Sequence, residues 1–262
     1  INTLYVKYET KAGLSTAKAL DITNNTVTYA VPSDSEKVET TLAYSAKTNL
    51  SRGNDQAVIF YPARENGWGT LMFEDLWPAY GDYDFNDLVV NYKMQLYPNN
   101  KNMVKEMILG IRVKAIGGSL PYDLCLAIKG IKAGEIDEFE KQESNNALEN
   151  ADMELLNPGN SEKNPPIFRF NNIRTNTKAP KGFAFLNTDP DKKARIQEGD
   201  MVNITFYITF RNSIPQADLT LDAFDFFIAK SIKEKAAQWQ EIHTRGYAPT
   251  EEFGQTVYEQ TK

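Results

Sequence analysis

Apolar and polar side chains alternate along much of this chain with a period of two, the signature of strands that bury one face. From Met201 to Phe210, Val202, Ile204, Phe206, Ile208 and Phe210 share one face, while Asn203, Thr205 and Thr209 share the other. Met107, Leu109, Ile111, Val113 and Ala115 make a second stripe, opposite Gly110, Arg112 and Lys114. Tyr122, Leu124, Leu126 and Ile128 follow the breaks at Gly117-Gly118 and Pro121. Leu88, Val90, Tyr92 and Met94 form a fourth stripe, and Val27, Tyr29 and Val31 a shorter one. Between the runs stand turn formers such as Asn24-Asn25, Asn99-Asn100, Asn157-Pro158, Pro165-Pro166 and Asp189-Pro190. This spacing predicts an all-β protein, an antiparallel β-sandwich of jelly-roll-like kind with long loops and little helix.

Two segments escape the alternation. Glu135 to Leu156 is polar and acidic, and reads as a long excursion with a short helix or hairpin near Met153 to Leu156. Ile232, Ala236 and Trp239 would share a helical face, yet Trp239, Glu241 and His243 also fit a strand. Residues 1 to 50, rich in Thr, Ser and Ala, read as extra N-terminal strands of one continuous domain spanning 1–262, or as a small β module of their own.

The 262 residues carry 35 acidic and 29 basic side chains, a formal charge of −6, with the cations scattered rather than striped. Such a chain has no electrostatic footprint for nucleic acid. One cysteine, Cys125, and one histidine, His243, leave no internal disulfide and no multi-histidine or cysteine-built metal site. Any metal must be held by oxygen. No apolar run approaches the roughly 20 residues that span a bilayer as a helix. The chain opens at Ile1 without a leader, as a mature or trimmed chain would.

Oxygen donors concentrate in one place. Leu71 to Tyr92 reads LMFEDLWPAYGDYDFNDLVVNY, with Glu74, Asp75, Asp82, Asp84, Asn86 and Asp87 between two apolar strands. Carboxylates so crowded repel one another unless a cation sits among them, and hard oxygen ligands suit calcium. Asp82-x-Asp84-x-Asn86 repeats the first, third and fifth ligand positions of an EF-hand loop. The likeness ends there: the sixth position is Asp87 instead of Gly, the twelfth is Lys93 instead of Glu, and a strand follows instead of a helix. The missing ligands are expected from Glu74 or Asp75, with Gly81 letting the chain turn back. The bland reading is a solvated hairpin loop whose Asp and Asn side chains cap their own backbone.

FEDLWPAYGDYDFNDLVVNY resembles the signature of the LruC-domain family, found in secreted and surface-anchored proteins of Gram-negative bacteria. The likeness continues in RVKAIGGS (112–119), DAFDFFIAK (222–230) and EIHTRGYAPTEEFG (241–254), so it covers roughly residues 57 to 258. Asp82, Asp84, Asn86 and Asp87 match its D-x-D-[FY]-N-D element, and Glu74 and Asp75 its FED element. The resemblance implies an all-β, calcium-binding type of domain, exported and often anchored as an outer-membrane lipoprotein, and it implies no activity.

The remaining chemistry-bearing residues read as structural. His243 has no nucleophile at a recognisable spacing, which favours an oriented imidazole over a general base. Cys125 reads as a buried small hydrophobe. Asp222 with Asp225, or Glu135 with Glu138 and Glu140, supply acidic pairs of the kind glycoside hydrolases use, as any acidic protein does. Trp68, Trp77 and Trp239 with 13 Tyr offer a stacking platform for sugars, although core packing accounts for most aromatics of a sandwich. No catalytic residue stands out. The expectation is a secreted or surface domain with structural calcium, acting in binding or adhesion to a glycan or surface protein. The rivals are a hydrolase using an acidic pair and a purely structural module of a larger assembly.

Overall fold

The structure is a computed structural model that describes residues 3–10, 13–14, 18–21, 37–43, 58–62, 67–76, 80–142, 150–157, 164–189, 195–197, 201–231 and 239–250. The chain separates into two compact units, Ile1–Gly53 and Asn54–Lys262. In the first unit, β1 (Thr3–Thr10) is central. The short β2 (Gly13–Leu14) and β3 (Lys18–Asp21) share one of its edges, and β4 (Lys37–Ala43) takes the other, all antiparallel. The stripe at Val27, Tyr29 and Val31 lies outside the described residues.

The second unit is an antiparallel β-sandwich. Its first sheet runs from β10 (Ile136–Lys141) through β13 (Ile204–Pro215) and β8 (Met103–Ala115) to β7 (Leu88–Pro98). Two short strands share the far edge of β7: β5 (Ile59–Tyr61) beside its C-terminal half and β6 (Gly69–Phe73) beside its start. The second sheet has the order β11 (Asp152–Leu155), β12 (Ile167–Asn171), β9 (Asp123–Ile128), β14 (Phe224–Ser231), β15 (Trp239–His243).

The alternating stripes become the core. Ile204, Phe206, Ile208 and Phe210 are buried, as are the Met107-to-Ala115 stripe and Tyr122, Leu124, Leu126 and Ile128 from the facing sheet. Aromatic pairs join the two layers. Phe170 of β12 meets Phe206 of β13 with ring centroids 4.9 Å apart, and Tyr92 of β7 meets Phe226 of β14 at the same distance. A smaller apolar cluster of Cys125, Ala127, Ile167, Phe227 and Ala229 occupies the other face of the second sheet. The buried Cys125 thiol is pushed well above its ordinary range by desolvation, so it serves as packing.

The two ambiguous segments resolve as strand. Ala133–Glu135 makes a single 3-10 turn that feeds β10, and Asp152–Leu155 is the edge strand β11. Trp239–His243 is β15, paired with β14 and burying Ile242; Ile232 and Ala236 lie outside the described residues. Replacing the fully buried Phe206 with Ala should cost about 3–5 kcal/mol, through lost transfer energy and the cavity left behind. Chemical denaturation checks this as a lower midpoint at unchanged slope.

Candidate metal centre

Glu74 and Asp75 follow directly on β6, and both are buried, Glu74 being 8% exposed. The two carboxylates go to different partners. Glu74 turns to the loop that begins at Gly81. Its Oε1 accepts the Phe85 N–H at 2.5 Å, while Oε2 is buried without a hydrogen-bond partner. Carboxylate oxygens of Glu74, Asp82 and Asp84 lie within 4.8 Å of one another. Burial holds the Glu74 carboxyl above its ordinary range; the Phe85 N–H opposes this, and the charges of Asp87, Asp82 and Asp84 add to it.

The loop is wound, not extended. Tyr83 and Phe85 take left-handed conformations, with φ of 60° and 56°, and the oxygen-bearing residues Asp82, Asp84 and Asn86 occupy the alternate positions. Side chains with a Cβ adopt this region at a cost and persist there when surroundings impose it. Asn86 donates its backbone N–H to Asp84 Oδ1 at 3.3 Å and its side-chain amide to Asp84 Oδ2. Gly81 serves by its lack of volume, because a Cβ there would lie 2.6 Å from Glu74 Oε2.

Asp75 belongs to a different group. Its N–H donates to Asp87 Oδ2 at 2.7 Å, and its own Oδ2 accepts from Leu120 N at 3.3 Å. Burial raises the Asp87 carboxyl; the Asp75 N–H works against this and the Asp75 carboxylate with it. The pair closes on the loop between β8 and β9. Gly117 N donates to Asn86 O at 2.8 Å, and a Cβ on Gly118 would sit 2.2 Å from Asp75 Oδ2 and 2.7 Å from Asp87 Oδ1. Arg174 supplies the local cation: its guanidinium donates to Gly118 O, and the attraction of Asp75, Asp87 and Asp123 offsets part of its burial cost.

The six predicted donors therefore fall into two sets. Glu74, Asp82 and Asp84 form a carboxylate cluster; Asp75 and Asp87 form a latch against Gly118; Asn86 bonds to Asp84 and lies against Gly117. Carboxylate oxygens within 4.8 Å of one another are close enough to share one bound cation. The orphaned Glu74 Oε2 is the kind of buried acceptor such an ion satisfies.

A second ionic group lies on β14 and β15. His243 Nδ1 lies 3.1 Å from both oxygens of the fully buried Asp225, and Nε2 lies 2.8 Å from Glu241 Oε2. A neutral imidazole donates one hydrogen bond, so two carboxylate partners favour the imidazolium. The ring stacks on Phe227 at 4.4 Å, Lys129 Nζ pairs with Asp225 at 3.0 Å, and Glu241 also accepts from Thr250 N at 2.8 Å. The acidic pair Asp222 and Asp225 is divided: Asp222 is exposed and accepts from Thr220 Oγ1, which lowers its carboxyl, while Asp225 is committed to His243 and Lys129. Trp68 is half-buried under the Arg112 guanidinium, and Trp77 lies outside the described residues.

Among the described residues no helix is long and apolar enough to cross a membrane. A family model described as a domain of unknown function, DUF4842, matches residues 102–262. The chain belongs to the DUF4842 family. The DUF4842 match takes in Gly117-Gly118, Arg174 and the Asp225–His243 group, while FED and DYDFND precede it. No curated protein matches the sequence. Among solved structures, a crystal structure named as a "Putative lipoprotein" from Bacteroides ovatus is similar, at 20% identity and a TM-score of 0.47, over 99% of this chain and 73% of that one.

Desolvation lowers the His243 pKa, but the hydrogen bonds its ring donates to Asp225 and Glu241, with their charges, outweigh this and hold the group above its ordinary value. A raised folded-state pKa adds stability that is full below the unfolded value and fades as pH climbs through the folded one. His243→Gln should therefore narrow its deficit in melting temperature relative to wild type as pH rises from 6 toward 9; a deficit that stays constant across that range would contradict the charged imidazole.

Proposed function

We propose that this DUF4842 chain is a calcium-stabilised β-sandwich domain of an exported, surface-displayed bacterial protein that acts in binding or adhesion. The observation that carries the calcium reading is Glu74 Oε2, buried and unpartnered beside Asp82 and Asp84. An ion there would receive that oxygen, offset the repulsion among three carboxylates, and tie the wound loop to the end of β6. Asp84, Asp82 and Glu74 are the proposed ligands, and Asn86, through its bonds to Asp84, orients one of them.

Export, with anchoring as an outer-membrane lipoprotein of a Gram-negative bacterium, is supported by the likeness of the FED and DYDFND segments to the LruC-domain family. The role in binding draws on the aromatic side chains left in solvent beside the acidic loop: Tyr80, Tyr83 and Phe85 are 91%, 56% and 48% exposed. Hydrolysis by paired acids finds less support, since Asp225 is fully buried in an ion pair and Asp222 is exposed.

Calcium added after chelation should raise the melting temperature of the purified chain, with magnesium at matched ionic strength giving a smaller rise. Asp84→Ala should abolish most of the calcium-dependent rise. A melting temperature indifferent to chelation and to this substitution would remove the metal from the account.

A further inference from the structure

The acidic loop stands at one lip of a groove of about 550 Å³. The β6 edge of the first sheet, from Thr70 to Glu74, forms one wall together with Tyr83 and Phe85. The β15 edge of the second sheet and the turn after it, including Arg245 and Tyr247, form the other. The volume suits a small ligand or a few residues of a chain molecule. Its lining is mainly apolar, with aromatic rings and the aliphatic side chains of Leu71, Met72 and Ile242 beside hydroxyl, carboxylate, imidazole and guanidinium groups.

Resting on the calcium reading above, we propose that this groove binds a neutral glycan, with adjacent sugar hydroxyls completing the calcium shell and sugar C–H faces stacking on Tyr83 and Phe85. Three carboxylates supply part of a shell of six to eight oxygens, and backbone carbonyls, water or a bound ligand supply the rest. Glu74 lines the groove, so the ion it holds would border the same space.

Charge selects the ligand class. Three carboxylates with one calcium leave one negative charge, and Arg245 brings one positive charge from the other wall. The remaining ionic groups there are already paired, His243 with Glu241 and Asp225, and Asp225 also with Lys129. A groove balanced in this way has no surplus cation for an acidic polymer. Hydroxyls satisfy a calcium ion without adding charge, and aromatic rings favour the flat apolar faces of sugars.

The test is affinity electrophoresis of the whole chain in gels containing mannan, laminarin, arabinoxylan, dextran sulfate or denatured casein, with calcium or with chelator, alongside melting curves in the same buffers. The expected result is retardation by at least one neutral glycan in calcium only, weakened about tenfold by Tyr83→Ala, which removes a ring but none of the three carboxylates. Calcium-dependent melting should survive that substitution. A calcium-dependent melt with no glycan retarded, or with glycan binding equal in chelator, overturns the groove proposal and leaves the metal reading standing. Retention of casein or dextran sulfate in place of neutral glycans overturns it in favour of a peptide or an anion. Absence of any calcium effect on melting overturns both.

Discussion

Two adjacent carboxylates at the end of β6, both buried, set the problem that the surrounding structure answers. Burying one ionised carboxylate without compensation costs several kcal/mol, and two in sequence cannot share a single partner. Glu74 goes to a loop of like charges, while Asp75 goes to the Leu120 N–H, Asp87 and the Arg174 guanidinium. The β6 end, the 80–87 loop, the β8–β9 loop and the turn after β12 are all drawn to this point, so the acidic region works as a junction of four segments and not as an appendage.

Glycine makes the junction close enough to matter. At Gly117 a Cβ would fall 1.8 Å from Asn86 Oδ1 and 2.9 Å from Asn86 O, a collision with backbone that no rotamer change relieves. Gly118 meets two carboxylates in the same way, and Gly81 meets Glu74. None of the three has a positive φ, so the need is for space, not for unusual torsions. The motifs FED, DYDFND and RVKAIGGS are therefore one physical object, and a substitution in any one changes the electrostatics of the others.

What the sequence made legible follows from periodicity. The stripes on β7, β8, β9 and β13 alternate because each strand has one face on the common core, and every residue of the Met107-to-Ala115 stripe is buried. The edge strands were harder to read. β10 buries only its first residue, Ile136, fully, and β11 only Met153, so neither shows a stripe. The acidic residues were visible by type and spacing, yet their division into a three-carboxylate cluster and an Asp75–Asp87 latch depends on where Gly118 and Arg174 stand. Arg174 sits in an irregular turn and carries no periodic or motif signal at all. His243 was readable as an oriented imidazole, but its partner Asp225 is brought to it by the pairing of β14 with β15, a long-range fact.

The two ionic groups also bear on how the sandwich ends. β6 and β15 are outer strands of their sheets among the described residues, and an outer strand offers unpaired backbone groups to any passing chain. Charge placed at such an edge discourages intermolecular strand pairing, because a second sheet docking there would have to desolvate it. Here one edge finishes in Glu74 and Asp75, and the other carries Glu241 and His243. Closing the gap between the sheets with apolar side chains would have removed the edges from water but left no room for a ligand. Lining it with paired charges and exposed rings keeps the space open while making it a poor template for aggregation, so the residues that protect the fold are also those that line the proposed binding groove.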